Sequence, residues 1–396
     1  MEVGLRRSTR GIVQAWIRAQ AAEPAIRTAG ALWLLSKVTL VVLAWAASWV
    51  TQPGGAGGTP LALAWEHWDA RLFRLIAEYG YFGPPGKLVP NQAAFLPGYP
   101  LLLRAAHVLV GSWVGAELTV AAVASFFAIL GLIRLADDYS EGSGPAAAVF
   151  LLAAPAAVFL SVGYSEALFL AFALPAWRAG RAGRWPQAGL FAAAACLIRI
   201  NGVFLLAGLV VIAVANRRSR VPVAGGRQRS WPLVAGSLTI PLVALAGYEL
   251  FLWRASGDWL AWEHAERAGW GRYFGNPVRT FTTTWRAAFG PEFHAPLAFM
   301  FQVELASVAV LAAVIAVTAV RRQWPEVVYC VLTAAALVFG TWYESVPRAL
   351  LLVFPLWCGL GALSRRNRAV AGAWLAASIP LMCVTALFYL SGAWAG

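Results

Sequence analysis

The chain has 396 residues, 60% of them hydrophobic and only 12% charged. A soluble chain carries about twice that charged share, so the composition excludes an ordinary soluble domain and points to an all-α polytopic membrane protein. The net charge of +13 does not read as nucleic-acid binding, because the arginines fall in short clusters between apolar runs, the pattern of cytoplasmic loops.

Residues 1–29 carry Arg6, Arg7, Arg10, Arg18 and Arg27, which places them in the cytoplasm. Within them, 12–26 reads as a short interfacial helix. The basic segment is long for a signal peptide, and the apolar run 30–50 is long enough to span the membrane and stay there. A first outer loop, 51–114, follows. It opens on a Gly/Pro-rich exit at 51–60 and continues into Trp65-Glu66-His67-Trp68-Asp69-Ala70-Arg71-Leu72-Phe73. The spacing predicts a short helix to about Tyr79, with Trp65, Trp68, Leu72, Leu75, Ile76 and Tyr79 as an apolar face for the membrane surface. Gly80 to Gly86 and Asn91 to Pro100 read as turns. Residues 101–113 are apolar but short and contain Arg104 and His107. A full crossing there would turn Arg178, Arg181 and Arg184 outward, so they read as a second surface or half-inserted helix.

The later spans read as 115–136, 145–160, 165–178, 186–199, 203–216, 231–253, 299–320, 326–342, 348–363 and 369–392. With 30–50 the total is about eleven, several of them too short to cross unless tilted or bent. The clusters Arg178/Arg181/Arg184, Arg217/Arg218/Arg220/Arg227/Arg229, Arg321/Arg322 and Arg365/Arg366/Arg368 then face the cytoplasm, as does Asp137-Asp138. A second outer loop, 254–298, holds Asp258, Trp259, Trp262, Glu263, His264, Glu266, Trp270 and Arg272. No repeat or separate soluble domain is visible, and 1–396 reads as a single integral-membrane domain.

The four cysteines, Cys196, Cys330, Cys358 and Cys383, lie inside apolar runs and read as packing residues. The four histidines show no zinc motif. His67 has no second histidine placed to share a metal and reads as a neighbour of the site. Four polar clusters fall at the outer face: Trp68-Asp69, Gly163-Tyr164-Ser165-Glu166, Arg199-Ile200-Asn201-Gly202 and Tyr343-Glu344-Ser345-Val346-Pro347-Arg348. Ionisable groups at span ends are costly unless they face a polar cavity or a partner. A carboxylate with several arginines on one face suits a phosphate-bearing substrate, because arginine grips phosphate bidentately and keeps its proton. Each residue has a plainer reading. Arg199 and Arg348 can snorkel, and Glu166 can serve as a helix N-terminal charge with Ser165 as cap. Their convergence on one face favours a site. Arg272, in a loop rich in aromatics, reads as a solvated loop residue.

These motifs resemble the PIG-V-like mannosyltransferases, a family that includes the enzyme adding the second mannose to GPI anchors and its bacterial relatives. The resemblance runs from Trp68-Asp69 through Phe73, Ile76-Ala77, Gly80-Tyr81, Ala94-Phe95-Leu96-Pro97 and Tyr99-Pro100-Leu101-Leu102-Arg104. It continues at Tyr164-Ser165-Glu166-Ala167-Leu168-Phe169, at Arg199-Ile200-Asn201-Gly202, and at Ser345-Val346-Pro347-Arg348 with Phe354-Pro355 following. Ile200 stands where the family has serine, and Ala349 where a tyrosine often follows the late Pro-Arg. Glu266 to Arg272 matches the family's Gln-x-x-Trp-x-Arg loosely.

The resemblance implies a GT-C glycosyltransferase fold with surface helices and the catalytic acid in the first outer loop. It implies a polyprenyl- (or dolichyl-) phosphate sugar donor, usually of mannose, and a lipid-linked or glycan acceptor. Transfer inverts the anomeric centre on the outer face of a bacterial plasma membrane. Asp69 is expected as general base. Arg348 first, then Arg199, are expected to stabilise the leaving phosphate. Glu166, Asn201, Tyr164, Trp68 and His67 complete the donor side, and Glu266, Trp270 and Arg272 are the acceptor-loop candidates. No nucleotide-binding glycine loop and no metal-binding Asp-x-Asp motif is present, so neither a cofactor nor a metal is expected. A transporter or flippase for a lipid-linked sugar is the alternative, but it should show two related halves, which the sequence lacks.

Overall fold

A computed structural model describes residues 2–50, 64–83, 91–218, 230–272 and 275–395. The exit at 51–60, part of the Gly80–Gly86 turn, and Arg220, Arg227 and Arg229 lie outside the described residues. Among those described there are sixteen α-helices, two short 3-10 turns and no strand.

The first helix, α1 (Glu2–Val50), continues through Pro24. The interfacial helix expected at 12–26 is therefore not a separate element. Proline removes one backbone donor, and the alanine-rich sequence around it keeps the helix going. Two helices of the first outer loop follow, α2 (Asp69–Tyr79) and α3 (Gly98–Val110). The short α3 exposes Leu101, Leu102, Val108 and Leu109, an apolar face on a helix too short to cross. Its His107 stacks on Trp113 at a ring separation of 3.7 Å.

α4 (Trp113–Tyr139) leads to α5 (Gly144–Leu152). The span expected at 145–160 is broken. Pro155 lacks an N–H and disfavours helix in the residue before it. The chain continues as a 3-10 turn at Ala157–Leu160 and an irregular stretch to Ser165. Then come α6 (Glu166–Arg181), α7 (Trp185–Ile198), α8 (Asn201–Arg218) and α9 (Trp231–Ser256). The second outer loop folds into α10 (Ala261–Trp270) and α11 (Pro277–Phe289). α12 (Ala295–Val320), α13 (Trp324–Val338), α14 (Val346–Leu352), α15 (Phe354–Arg366) and α16 (Arg368–Leu390) complete the chain.

By length and composition five helices can cross a membrane: Pro24–Trp49 of α1, α4, α9, α12 and α16. α14 and α15, bent by 70°, make a sixth candidate as a broken span, and Pro355 at the start of α15 marks the break. A count of about eleven requires the shorter helices, α7, α8 and α13 among them, to cross as well.

α6 lies at the centre, with Phe169, Leu174 and Trp177 fully buried, and packs between α4 and α7. Small residues line these contacts: Ala124 and Ala128 on α4, Ala173 on α6, and Ala188 and Ala192 on α7 are buried. They allow the close backbone approach on which helix association in lipid depends. Gly189 on α7 is a tighter case, since a Cβ there would lie 2.1 Å from the Ser237 carbonyl oxygen on α9.

The polar motifs and the arginine clusters lie at opposite ends of the same helices. Glu166 opens α6, and Arg178 and Arg181 close it. Arg199 caps the far end of α7, which begins after Arg184. At the arginine end the Tyr139 hydroxyl donates to Glu326, Arg181 pairs with Glu326 at 3.3 Å, and Arg178 pairs with Asp138 at 2.6 Å. These contacts tie together α4, α6 and α13.

Candidate active site

The segment Trp65–Asp69 ends in a reverse turn. The Ala70 N–H donates to the His67 carbonyl at 3.2 Å, and Trp68 between them has φ 53° and ψ −121°. This is the first central position of a type II′ turn, which favours glycine. Asp69 follows and opens α2, where the helix dipole favours a carboxylate. Its N–H donates to the Tyr164 hydroxyl at 3.2 Å, and that hydroxyl donates to the His67 carbonyl at 3.4 Å. The turn and Asp69 are thus held by a tyrosine from the Tyr-Ser-Glu motif. α2 spans the residues expected of it, but its buried face is Ala70, Phe73, Ile76 and Ala77. Leu72 and Leu75 are only half-buried and Trp68 is 52% exposed. The face points into the protein because Phe73 packs against Phe95 and Tyr99.

Arg348 joins the motifs. Its Nη1 lies 3.1 Å from Asp69 Oδ2, and its Nη2 lies 2.9 Å from Glu166 Oε1. Its Nε also donates to Glu166 Oε1 at 2.9 Å. The guanidinium lies over the rings of Tyr164 and Phe159 at 4.6 and 4.9 Å, in cation–π geometry. Arg199, in the extended corner between α7 and α8, donates to Ser165 Oγ at 2.8 Å and Glu166 Oε1 at 3.1 Å. Ser165 therefore does not cap α6, as its place before Glu166 led one to expect: its side chain makes no cap bond, and its oxygen is taken by Arg199.

Arg348 sits on α14, whose entry is held by a carboxylate that sequence reasoning missed. Glu304, fully buried on α12, accepts from the Ser345 N–H at 2.9 Å and the Val346 N–H at 2.8 Å. Ser345 itself has φ 63°. The available signal was a lone carboxylate inside a long apolar run, which is costly unless it has partners.

These groups face a cavity with about 120 Å³ of free space, and Asp69, Ser165, Arg199, Asn201, Ser345 and Arg348 line one side of it. The other side carries Phe95, Trp262, Glu266, Trp270 and Arg272. Trp262 and Trp270 come from α10, which is anchored where the Trp262 indole N–H donates to the Ala94 carbonyl at 3.2 Å. Arg272 lines the cavity while its side chain stays 43% exposed, as a loop residue would: Gly271, with φ 60°, ends α10 just before it. Arg272 Nη1 lies 3.4 Å from Glu266 Oε2. Burial holds the Glu266 carboxyl above its ordinary range, against the pull of Arg272. Glu344 is raised in the same way, by burial first, with Arg272 opposing.

Four of the expected residues do not line the cavity, among them Glu166, which is fully buried against Arg348 and Arg199. Tyr164 is buried behind Asp69, His67 packs on Tyr389 at a ring distance of 5.6 Å, and Trp68 points to the surface. Phe95, Trp262 and Phe159 were missed because aromatics in apolar sequence carry no distinguishing pattern.

The fold and the convergence of Asp69, the arginines and the residues of α10 define a membrane protein with a polar cavity at one helix-end face. Residues 61–217 match the family described as Mannosyltransferase (PIG-V). The chain is 34% identical over 150 residues to GPI alpha-1,6-mannosyltransferase 2 of Rattus norvegicus, a match covering 35% of this chain and 29% of that one. Against the Mus musculus protein of the same name it is 30% identical over 202 residues, covering 48% and 40%. The matches thus span less than half the length of these curated relatives. Among solved structures, ArnT from Cupriavidus metallidurans bound to undecaprenyl phosphate superposes with a TM-score of 0.50 at 16% identity, covering 86% of this chain and 62% of that one. At that identity the likeness is one of fold. The late motif around Arg348 lies beyond the matched segment, and the fold brings it back to Asp69.

Proposed function

We propose that this chain is an integral-membrane glycosyltransferase that moves a mannosyl residue from a polyprenyl-phosphate sugar to a lipid-linked or glycan acceptor, on the non-cytoplasmic face and with inversion. One observation carries the reading: Asp69 and Arg348, from opposite ends of the chain, meet at 3.1 Å in a cavity that also holds Arg199. Similarity to the GPI mannosyltransferases and the shared fold with ArnT support it.

In the proposed reaction the acceptor oxygen attacks the anomeric carbon while Asp69 takes the hydroxyl proton. Arg348 binds Oδ2, so Oδ1 is the oxygen that receives it. The new C–O bond forms as the bond from the anomeric carbon to the phosphate oxygen breaks. The electron pair leaves on the lipid phosphate, a weak base that needs no general acid. Asn201 and the N-terminal end of α8 face that charge, where helix amides suit a developing anion. Glu166 positions both arginines, and Tyr164 positions Asp69. Glu266, Trp262 and Trp270 offer a carboxylate and ring faces to the sugars.

The test is sugar transfer in membranes from radiolabelled polyprenyl-phosphate mannose to a lipid extract. Asp69→Asn is nearly isosteric but accepts no proton, and should lower transfer by about a hundredfold or more. Glu66→Gln is the control, since Glu66 pairs with Arg74 at 2.6 Å, away from the cavity, and its effect should be mild. Unchanged transfer by Asp69→Asn would remove Asp69 from the mechanism and bring a lipid-sugar transporter back level with the enzyme.

A further inference from the structure

The arginines that line the cavity are not equally available to a phosphate. Arg348 is held by Asp69 and Glu166, and Arg199 by Ser165 and Glu166. On that wall two guanidinium groups face two carboxylates, so the wall is already neutral. Their side chains are only 8% and 21% exposed. An entering anion would have to pull apart pairs that are buried and hydrogen-bonded, which proteins resist because the carboxylate left behind has no partner.

Arg272 differs in its hold. It lines the same cavity, its side chain is 43% exposed, and its carboxylate contact is 3.4 Å. That is long for a charge-assisted hydrogen bond, which falls at about 2.7–2.9 Å. Its backbone is nonetheless fixed. Gly271 ends α10, the Arg272 N–H points at the Glu266 carbonyl, and the Gly275 N–H donates to the Phe339 carbonyl at 2.8 Å. A guanidinium on a held backbone with a weak partner is suited to exchange that partner.

We propose that Arg272 is the ligand of the donor phosphate, leaving Glu266 for the phosphate when the lipid arrives, while Arg348 positions the base. The proposal rests on the lipid-phosphate reading of the cavity. Its consequence for Glu266 follows from what surrounds that carboxyl: burial, Asp69 and Glu344 push it up, and Arg272 pulls it down. Removing Arg272 raises it further, so Glu266 holds its proton up to a higher pH when the donor is bound. A group whose proton affinity rises in the bound state favours binding at low pH, and the gain is lost as pH rises.

The experiment measures equilibrium binding of undecaprenyl phosphate, without sugar, to the full-length protein in nanodiscs. Arg272→Ala should weaken binding by about tenfold or more. Glu266→Gln removes the competitor for Arg272 and should tighten binding by about tenfold. It should also lessen the dependence on pH relative to wild type. In the double variant the gain should vanish. Because one substitution is expected to improve binding, a folding defect cannot mimic the pattern. Glu266→Gln binding no tighter than wild type, or Arg272→Ala binding as well as wild type, would overturn the proposal while leaving the lipid-phosphate reading in place. Failure of the wild-type protein to bind undecaprenyl phosphate would sink both.

Discussion

At the scale of single residues, Arg348 shows why the type of cation matters. One planar fork reaches Asp69 with Nη1 and Glu166 with Nη2 and Nε, and its flat face covers Tyr164 and Phe159. An ammonium is a point charge and cannot hold both carboxylates in those directions. Arg348→Lys should therefore keep the net charge and membrane insertion but lower transfer by about a hundredfold, the cost of misplacing a reacting group by about an ångström. Wild-type transfer by this variant would reduce the arginine to an interfacial anchor. Its place in the site was legible from the sequence, because polar motifs stand out against apolar spans. Which carboxylate it holds was not, because pairing depends on how distant segments fold together. Arg272 is exposed, as its loop sequence suggested, and its place beside the cavity was not legible for the same reason.

Among the elements, α14 is the most dependent on its surroundings. It has only seven residues, enters through Ser345 at φ 63°, and ends at a 70° break. A helix this short is not stable by itself. Both Glu304 oxygens accept backbone N–H groups at its entry, and a buried N–H left without its acceptor costs about 1–3 kcal/mol. Glu304→Gln turns an amide N–H₂ toward one of those donors. It should lower the melting temperature and also transfer, through Arg348, whereas a variant with wild-type melting and transfer would show that α14 holds itself. Elsewhere the limits of α2 and α4 were readable from helical spacing, and the break in the expected 145–160 span was available in Pro155. The inward face of α2 was not, since Leu72 and Leu75 are as apolar as Phe73 and Ile76, and only tertiary packing chooses between them.

For the whole molecule, the separation of cavity and arginine clusters to opposite ends of α6 and α7 fixes a direction across the bilayer. A single cysteine at Glu263, on exposed α10, should label from outside intact cells. One at Glu141, after α4, should label only after permeabilisation. The reverse pattern would put the cavity in the cytoplasm. Direction alone does not set height, and here the turn before Asp69 has a consequence. Trp68 takes a backbone conformation that costs a non-glycine residue about 1–3 kcal/mol, yet its indole is half in solvent. An indole prefers the headgroup level, and this one is attached to Asp69 by a single peptide bond. Held at that level it would act as a float, setting the depth at which Asp69 meets a lipid phosphate in the proposed reaction. Trp68→Gly would relax the turn and lose the float. The protein should melt no lower than wild type, but its transfer rate should become dependent on acyl-chain length in reconstituted bilayers, where the wild type tolerates a change in thickness.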